Sequence, residues 1–71
     1  MATLRQRFGK RIRVLRKQAG LSQEKLAERA DISVDFLSLV ERGINAPSLD
    51  TMERLARALG VDEMELFDFS D

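Results

Sequence analysis

The chain has 71 residues, of which 44% are hydrophobic and 34% are charged, and its 12 basic and 12 acidic side chains leave no net charge. This length predicts one small domain over residues 1–71 with a compact core. Cys and His are absent, which excludes disulfides, zinc sites built from these two residue types, and histidine as a general base. We therefore expect no metal and no cofactor. Without a membrane-length apolar run or a signal-peptide segment, a cytoplasmic protein is expected.

The basic and acidic side chains are separated along the chain. Residues 1–17 contain seven basic side chains and no acid, whereas residues 48–71 contain seven acids and two arginines. A local basic surface binds phosphates whatever the total charge of the protein. Solvated helix faces are the usual explanation of a charge run, but this asymmetry is large for so short a chain.

The first predicted helix begins after Thr3, with Gln6 completing a capping box, and ends at Gly20. Apolar residues recur along it at spacings of three and four, which predicts one buried stripe of Leu4, Phe8, Ile12, Leu15 and Ala19. The basic side chains fall mostly off this stripe, so we expect them to be exposed.

Ser22 and Ser33 are start signals for two short helices, about 23–30 and 34–42. The turn between them contains Asp31, where we expect a left-handed backbone. This is the dimension of a helix-turn-helix, about residues 22–43, whose second helix enters a DNA major groove. Val34 and Leu39 are apolar on the predicted outer face, which indicates a contact surface unless one of them only widens the core stripe.

The last third of the chain predicts two more helices. Pro47 ends the preceding loop, and Ser48 caps a helix of about 49–59 whose apolar positions are Leu49, Met52, Leu55, Ala56 and Leu59. Asp62 and Glu65 predict a second capping box and a short fifth helix ending near 67. The apolar residues of the tail exceed what a frayed end requires and predict a homodimer interface of Leu66, Phe67 and Phe69.

Three stretches carry a resemblance to a known family. They are R-x-x-x-G-L-S-Q-x-x-L-A over 16–27, I-S…F-L-S-L-V-E-R-G over 32–43, and A-P-S-L-D-T…L-A-x-A-L-G-V over 46–61. In this order and spacing, the chain resembles the phage-repressor-like (Cro/repressor, XRE-like) helix-turn-helix family over roughly 8–67. It looks like small restriction–modification controller proteins and phage repressors. The resemblance implies an all-α, five-helix, lambda-repressor-like DNA-binding domain.

The resemblance also implies roles for individual residues. Phosphate-contacting positions match Gln23, Ser33, Arg42, Asn45 and Ser48. Base-facing positions match Val34, Asp35, Ser38 and Leu39. A buried structural ion pair matches Arg16 and Glu41.

The chain departs from the family where Asp31 replaces the usual turn Gly. Its base-facing set also lacks Arg, Lys, Asn and Gln, so direct base readout should be modest, with DNA shape or the basic N-terminal region supplying the rest.

These observations predict a transcriptional regulator that binds double-stranded DNA as a homodimer, at a palindromic operator with half-sites about one helical turn apart. The chain is short for a separate sensing domain, so regulation through dimer concentration or a partner is expected, and the acidic residues Asp50 and Glu53 are a candidate contact for RNA polymerase. The alternative is a protein-interaction module, such as an antitoxin or bridging factor, that keeps the fold without reading bases. An enzyme is disfavoured because no base–nucleophile pair can be identified.

Overall fold

The computed structural model describes residues 1–70, which form four α-helices and one short 3-10 helix without any strand. The helices are α1 (Leu4–Gln18), α2 (Gln23–Ala30), α3 (Val34–Glu41), α4 (Leu49–Leu59) and the 3-10 helix (Glu63–Phe67). The predicted all-α class is confirmed. In the same residues, no helix is long and apolar enough to cross a membrane.

A hydroxyl side chain caps the N-terminus of every α-helix in the described chain. Thr3, Ser22, Ser33 and Ser48 each accept a hydrogen bond from the backbone N–H three residues later, at 3.0–3.1 Å. Thr3 also forms the predicted capping box, because its own N–H donates to the Gln6 side chain at 2.9 Å. The helix boundaries therefore follow local signals, since each cap satisfies a backbone donor that the helix leaves free.

The predicted fifth α-helix is wrong, since Glu63–Phe67 is a 3-10 helix. The expected capping box does not form. The Asp62 carboxylate accepts from Met64 N two residues later, at 2.9 Å. The Glu65 side chain instead turns to α1, where Arg11 Nη2 donates to its carboxylate at 3.0 Å. A short run held by i to i+3 hydrogen bonds is typical of a 3-10 helix. The Arg11–Glu65 ion pair fixes this segment to α1.

The core lies between α1, α2, α3 and α4 and is closed by the 3-10 helix. Its largest fully buried side chains are Ile12, Leu26, Leu37, Leu55 and Leu66. Packing brings α1 onto α3 and α2 onto α4, while the 3-10 helix packs on α1 and α4. This arrangement leaves the outer side of α3 without a covering helix.

Among the described glycines, Gly9 is the one at which the backbones of α1 and α3 come close together. A Cβ atom built at Gly9 would collide with the Val40 carbonyl oxygen and lie 2.9 Å from that of Glu41. No residue larger than Gly fits this crossing without movement of one helix, so Gly9 fixes how closely α3 sits on α1.

Three residues predicted in buried stripes are exposed. They are Leu4, Ala19 and Leu49, of which Leu49 is 81% exposed. Each lies at or beside the end of its helix, where the side chain projects past the neighbouring element. Thr51, which the apolar pattern omitted, is buried in the first turn of α4 instead.

Candidate nucleic-acid interface

The turn between α2 and α3 has the predicted left-handed geometry. Asp31 has φ 57° and ψ 48°, and it is the only non-Gly residue with positive φ in the described chain. Arg54 of α4 also holds this turn in place, since its Nε donates to the Ala30 carbonyl at 2.9 Å. This contact was not predicted, because nothing local to Arg54 indicates a backbone acceptor 24 residues away.

The outer side of α3 carries the four predicted base-facing residues. Val34 and Asp35 are exposed, whereas Ser38 and Leu39 are half-buried. Leu37 and Val40 point the other way and are fully buried. The four side chains therefore lie on or beside the open surface of α3, and their contact with bases remains a prediction.

One aromatic residue of α3 was given no role by the apolar pattern. Phe36 is half-buried and packs against the core. It anchors the first turn of α3 alongside Ile32, which is also half-buried. With this contact, the core stripe of α3 includes Phe36 as well as Leu37 and Val40.

A buried ion pair joins α1 to α3 behind this surface. Arg16 Nε donates to Glu41 Oε2 at 2.7 Å, and Arg16 Nη2 donates to Glu41 Oε1 at 3.1 Å. The Glu41 side chain is 2% exposed and that of Arg16 is 11% exposed. A bidentate arginine–carboxylate pair of this kind holds both groups in a fixed orientation.

The ion pair extends to the start of α2. Gln23 Nε2 donates to Glu41 Oε1 at 3.0 Å, and Arg16 Nη1 donates to the Leu21 carbonyl at 3.0 Å. The residues just before and just after the Ser22 cap are thus tied to the same carboxylate–guanidinium pair. We refer to Arg16, Gln23 and Glu41 as the anchor network, since it fixes the start of α2 relative to α1 and α3.

An open cleft lies in front of the anchor network. Arg42, at the end of α3, and Ser38 line it together with the three network residues, and Arg13 of α1 contributes a further wall. Arg42 is exposed. A cleft with guanidinium groups beside the N-terminus of a helix suits an anion, because the helix dipole and the free N–H groups have the same preference.

The other predicted phosphate-contacting residues differ in how far their polar atoms are engaged. Ser33 Oγ accepts the Phe36 N–H, which leaves its own hydroxyl proton available. Ser48 Oγ accepts the Thr51 N–H and also donates to Thr51 Oγ1 at 3.0 Å. Asn45 is half-buried and its backbone N–H donates to the Leu39 carbonyl at 3.3 Å.

The predicted dimer residues at the C-terminal end have different environments, and Leu66 requires a correction. Leu66 is fully buried in the core of the single chain and offers no surface to a second copy. Phe67 is 44% exposed and its ring packs against Phe8 at an interplanar angle of 45°, with ring centres 5.2 Å apart. Phe69 is half-buried beneath the Arg7 guanidinium, 5.2 Å from its ring centre.

The segment after the 3-10 helix folds back on itself. The Ser70 hydroxyl and backbone N–H both donate to Asp68 Oδ1, at 2.6 and 3.1 Å. These two hydrogen bonds hold the pKa of the Asp68 carboxyl below its ordinary value, with a smaller contribution from the Arg11 charge. Because the carboxylate is the better acceptor, the turn over 68–70 is favoured while Asp68 is ionised.

An apolar surface runs between α1 and α4 and shares no lining residue with the cleft of the anchor network. Leu4, Phe8, Pro47, Met52 and Phe67 line a cleft of about 540 Å³. A second cleft contains Met52, Phe67 and the exposed Leu49. Because the two clefts share Met52 and Phe67, their apolar residues form one continuous patch.

The chain matches known proteins over most of its length. The sequence pattern of the helix-turn-helix family covers residues 12–66. The chain belongs to the helix-turn-helix family of DNA-binding transcriptional regulators. Control protein C.BamHI of Bacillus amyloliquefaciens is 41% identical over 64 residues, which are 89% of this chain and 79% of that protein. The immunity repressor of Bacillus phage phi105 is 45% identical over 53 residues, which are 75% of this chain and 37% of the repressor.

Solved structures agree with this membership. The restriction–modification controller protein C.AhdI from Aeromonas hydrophila superposes with a TM-score of 0.85 at 42% identity, covering 87% of this chain and 94% of that one. The clp gene regulator ClgR from C. glutamicum gives a TM-score of 0.87 at 29% identity, covering 93% and 86% of the two chains. The predicted resemblance to phage repressors and controller proteins is confirmed.

Proposed function

We propose that this helix-turn-helix regulator binds a palindromic operator as a homodimer, with the exposed side of α3 in the major groove of each half-site. The observation that carries the proposal is the anchor network. It holds the start of α2 close to the end of α3, so that Gln23 and Arg42 flank the base-facing residues. A recognition helix with a phosphate contact at each end has a fixed register on the duplex, and base contacts can then add specificity.

The apolar patch between α1 and α4 supports the homodimer. Leu49 is 81% exposed and Leu4 is 55% exposed, and a contiguous apolar patch, unlike single exposed residues, marks an interaction site. Asp50, Glu53 and Glu63 lie beside Leu49, and Arg5 lies beside Leu4. In a two-fold dimer each patch meets its own copy, so an acidic edge opposite a basic edge is self-complementary. We therefore place the interface on Leu4, Leu49, Met52 and Phe67.

The DNA proposal is tested by selecting bound duplexes from random DNA and measuring the affinity for the selected and the scrambled sequence. A specific regulator should bind the selected duplex at least ~10³-fold more tightly. The selected sequence should be palindromic, with half-sites about one helical turn apart. Equal affinity for both duplexes at moderate salt would reject specific recognition.

The absence of Arg, Lys, Asn and Gln from α3 favours a second candidate, a protein-interaction module that keeps the fold. A salt titration separates the two candidates. A regulator using several phosphate contacts should lose affinity for DNA steeply as salt rises. Failure to bind any duplex at low salt would favour the interaction module.

The acidic side of α4 supports RNA polymerase as a further partner. Asp50 and Glu53 are both exposed. Both residues also border the proposed homodimer interface at Leu49. If polymerase uses the same surface, polymerase and the second copy of the chain compete for it. If both bind at once, the polymerase contact lies farther from Leu49. Crosslinking of polymerase to a DNA-bound complex distinguishes these arrangements.

A further inference from the structure

The basic side chains near the N-terminus do not all belong to one free surface. Four of the seven make contacts within the chain: Arg5 to the Ile44 carbonyl at 3.2 Å, Arg7 to the Phe69 ring, Arg11 to Glu65, and Arg16 to Glu41. The other three, Lys10, Arg13 and Lys17, are exposed and form no hydrogen bond or ion pair with the described residues. The basic surface open to an anion is therefore smaller than the sequence indicates.

Of these three, Arg13 lines the cleft in front of the anchor network together with Gln23 and Arg42. Lys10 lies one turn earlier on α1 and lines a different cleft, against Phe69 and Asp68. Lys17 lines neither of these clefts. The geometry thus singles out Arg13 as the α1 cation beside the two predicted phosphate contacts.

The charge of this cleft favours an anion. Glu41 is buried and paired with Arg16, so these two charges compensate each other. The remaining charged side chains of the lining are Arg13, Arg42 and one exposed acid, Glu24. A glutamine amide has two N–H bonds, and Gln23 donates only one of them to Glu41. The cleft therefore combines a net positive charge with an amide N–H that has no acceptor in the described chain.

We propose that Arg13, which lies outside the helix-turn-helix, contacts a DNA phosphate beside the one bound by Gln23 and Arg42. This inference rests on the proposed DNA-binding function. Because a phosphate contact carries no base information, Arg13 raises affinity for all sequences alike and leaves sequence preference to α3. It also makes α1 part of the DNA interface, where the first helix otherwise serves the core through Phe8, Ile12 and Leu15.

The test compares Arg13→Ala with Lys10→Ala, a matched control that removes one exposed charge from the same helix. Affinity for a duplex selected from random DNA, and for its scrambled version, is measured between 50 and 200 mM salt. Loss of one phosphate contact should lower the slope of log affinity against log salt by about 0.9. The advantage of the wild type over Arg13→Ala should then shrink about 3.5-fold across this range, equally for both duplexes.

Lys10→Ala should change the slope less, because Lys10 acts only through the long-range field. Arg13→Lys should restore most of the slope, since it keeps the charge, and thermal unfolding should be the same in all three variants. Identical slopes for Arg13→Ala and Lys10→Ala would overturn the inference. If the wild type binds DNA and depends on Gln23 and Arg42 while Arg13→Ala matches its control, only this inference fails. If the wild type binds no duplex at low salt, the proposed function fails as well.

Discussion

The anchor network and the apolar patch differ in how the chain builds them. The anchor network is buried, bidentate and bound to three elements, so each member has its position fixed by the others. The apolar patch combines exposed side chains such as Leu49, at the start of α4, with Phe67, which is 44% exposed although its ring also packs against Phe8 of the core. The anchor network therefore fixes how α1, α2 and α3 are held together, whereas the exposed side chains of the patch are available for association.

The largest effect that separates the two regions is expected from Arg16→Met. Removing one partner of a buried ion pair leaves the Glu41 carboxylate uncompensated, which should lower the free energy of unfolding by about 3–5 kcal/mol. Chemical denaturation measures this loss. Lys10→Met is the control, because Lys10 is exposed and should change stability by less than about 0.5 kcal/mol. A loss below about 1 kcal/mol for Arg16→Met would mean that water compensates the pair and that the network is not a structural anchor.

The second prediction concerns Leu66, which belongs to the core and not to the patch. Leu66→Ala should lower the free energy of unfolding by about 2–5 kcal/mol through lost burial and a cavity. Met64→Ala, two residues earlier and 79% exposed, should change it by no more than about 0.5 kcal/mol. Equal effects of the two substitutions on thermal unfolding would contradict the assignment of Leu66 to the core.

The contrast between Leu66 and the anchor network also shows what the sequence can predict. Serine and threonine caps, the glycines that end helices and the apolar spacings of three and four residues are local signals, and they predicted the four α-helices. The Arg16–Glu41 pair spans 25 residues, and only family resemblance pointed to it. The inward turn of Leu66 had no comparable signal, because a five-residue 3-10 segment is too short to show a period.

Other long-range contacts were missed for the same physical reason. Arg54 donates to a carbonyl 24 residues away and Arg11 to Glu65 54 residues away, and a basic residue in a helix carries no mark of its future acceptor. Gly9 was likewise assigned no role from the sequence, although a glycine inside a helix is costly and can indicate a close backbone approach. A structure was needed to decide which arginines remain open to DNA.

Leu49→Glu tests the patch without disturbing the core. The Leu49 side chain is exposed in the single chain, so the free energy of unfolding of the monomer should stay unchanged. Burial of a leucine contributes about 1.5–3 kcal/mol, and a two-fold interface contains each contact twice. Sedimentation should therefore show a dimer for the wild type and a monomer for Leu49→Glu at the same concentration. A dimer that persists in Leu49→Glu would place the interface elsewhere. Arg57→Glu, which also adds a negative charge to α4, is the control for the effect of charge alone.

The smallest effect is expected at the centre of α3, where side chains are short and weakly donating. Asp35→Ala removes one acceptor suited to a cytosine amino group, so it should change preference at one base position by less than about tenfold. Arg42→Ala should instead weaken binding to every duplex and lower the salt slope by about 0.9. Competition binding across single-base variants of the selected duplex measures both. If Asp35→Ala lowers all affinities uniformly, α3 contacts the backbone there, and the sequence preference of this regulator comes from DNA shape.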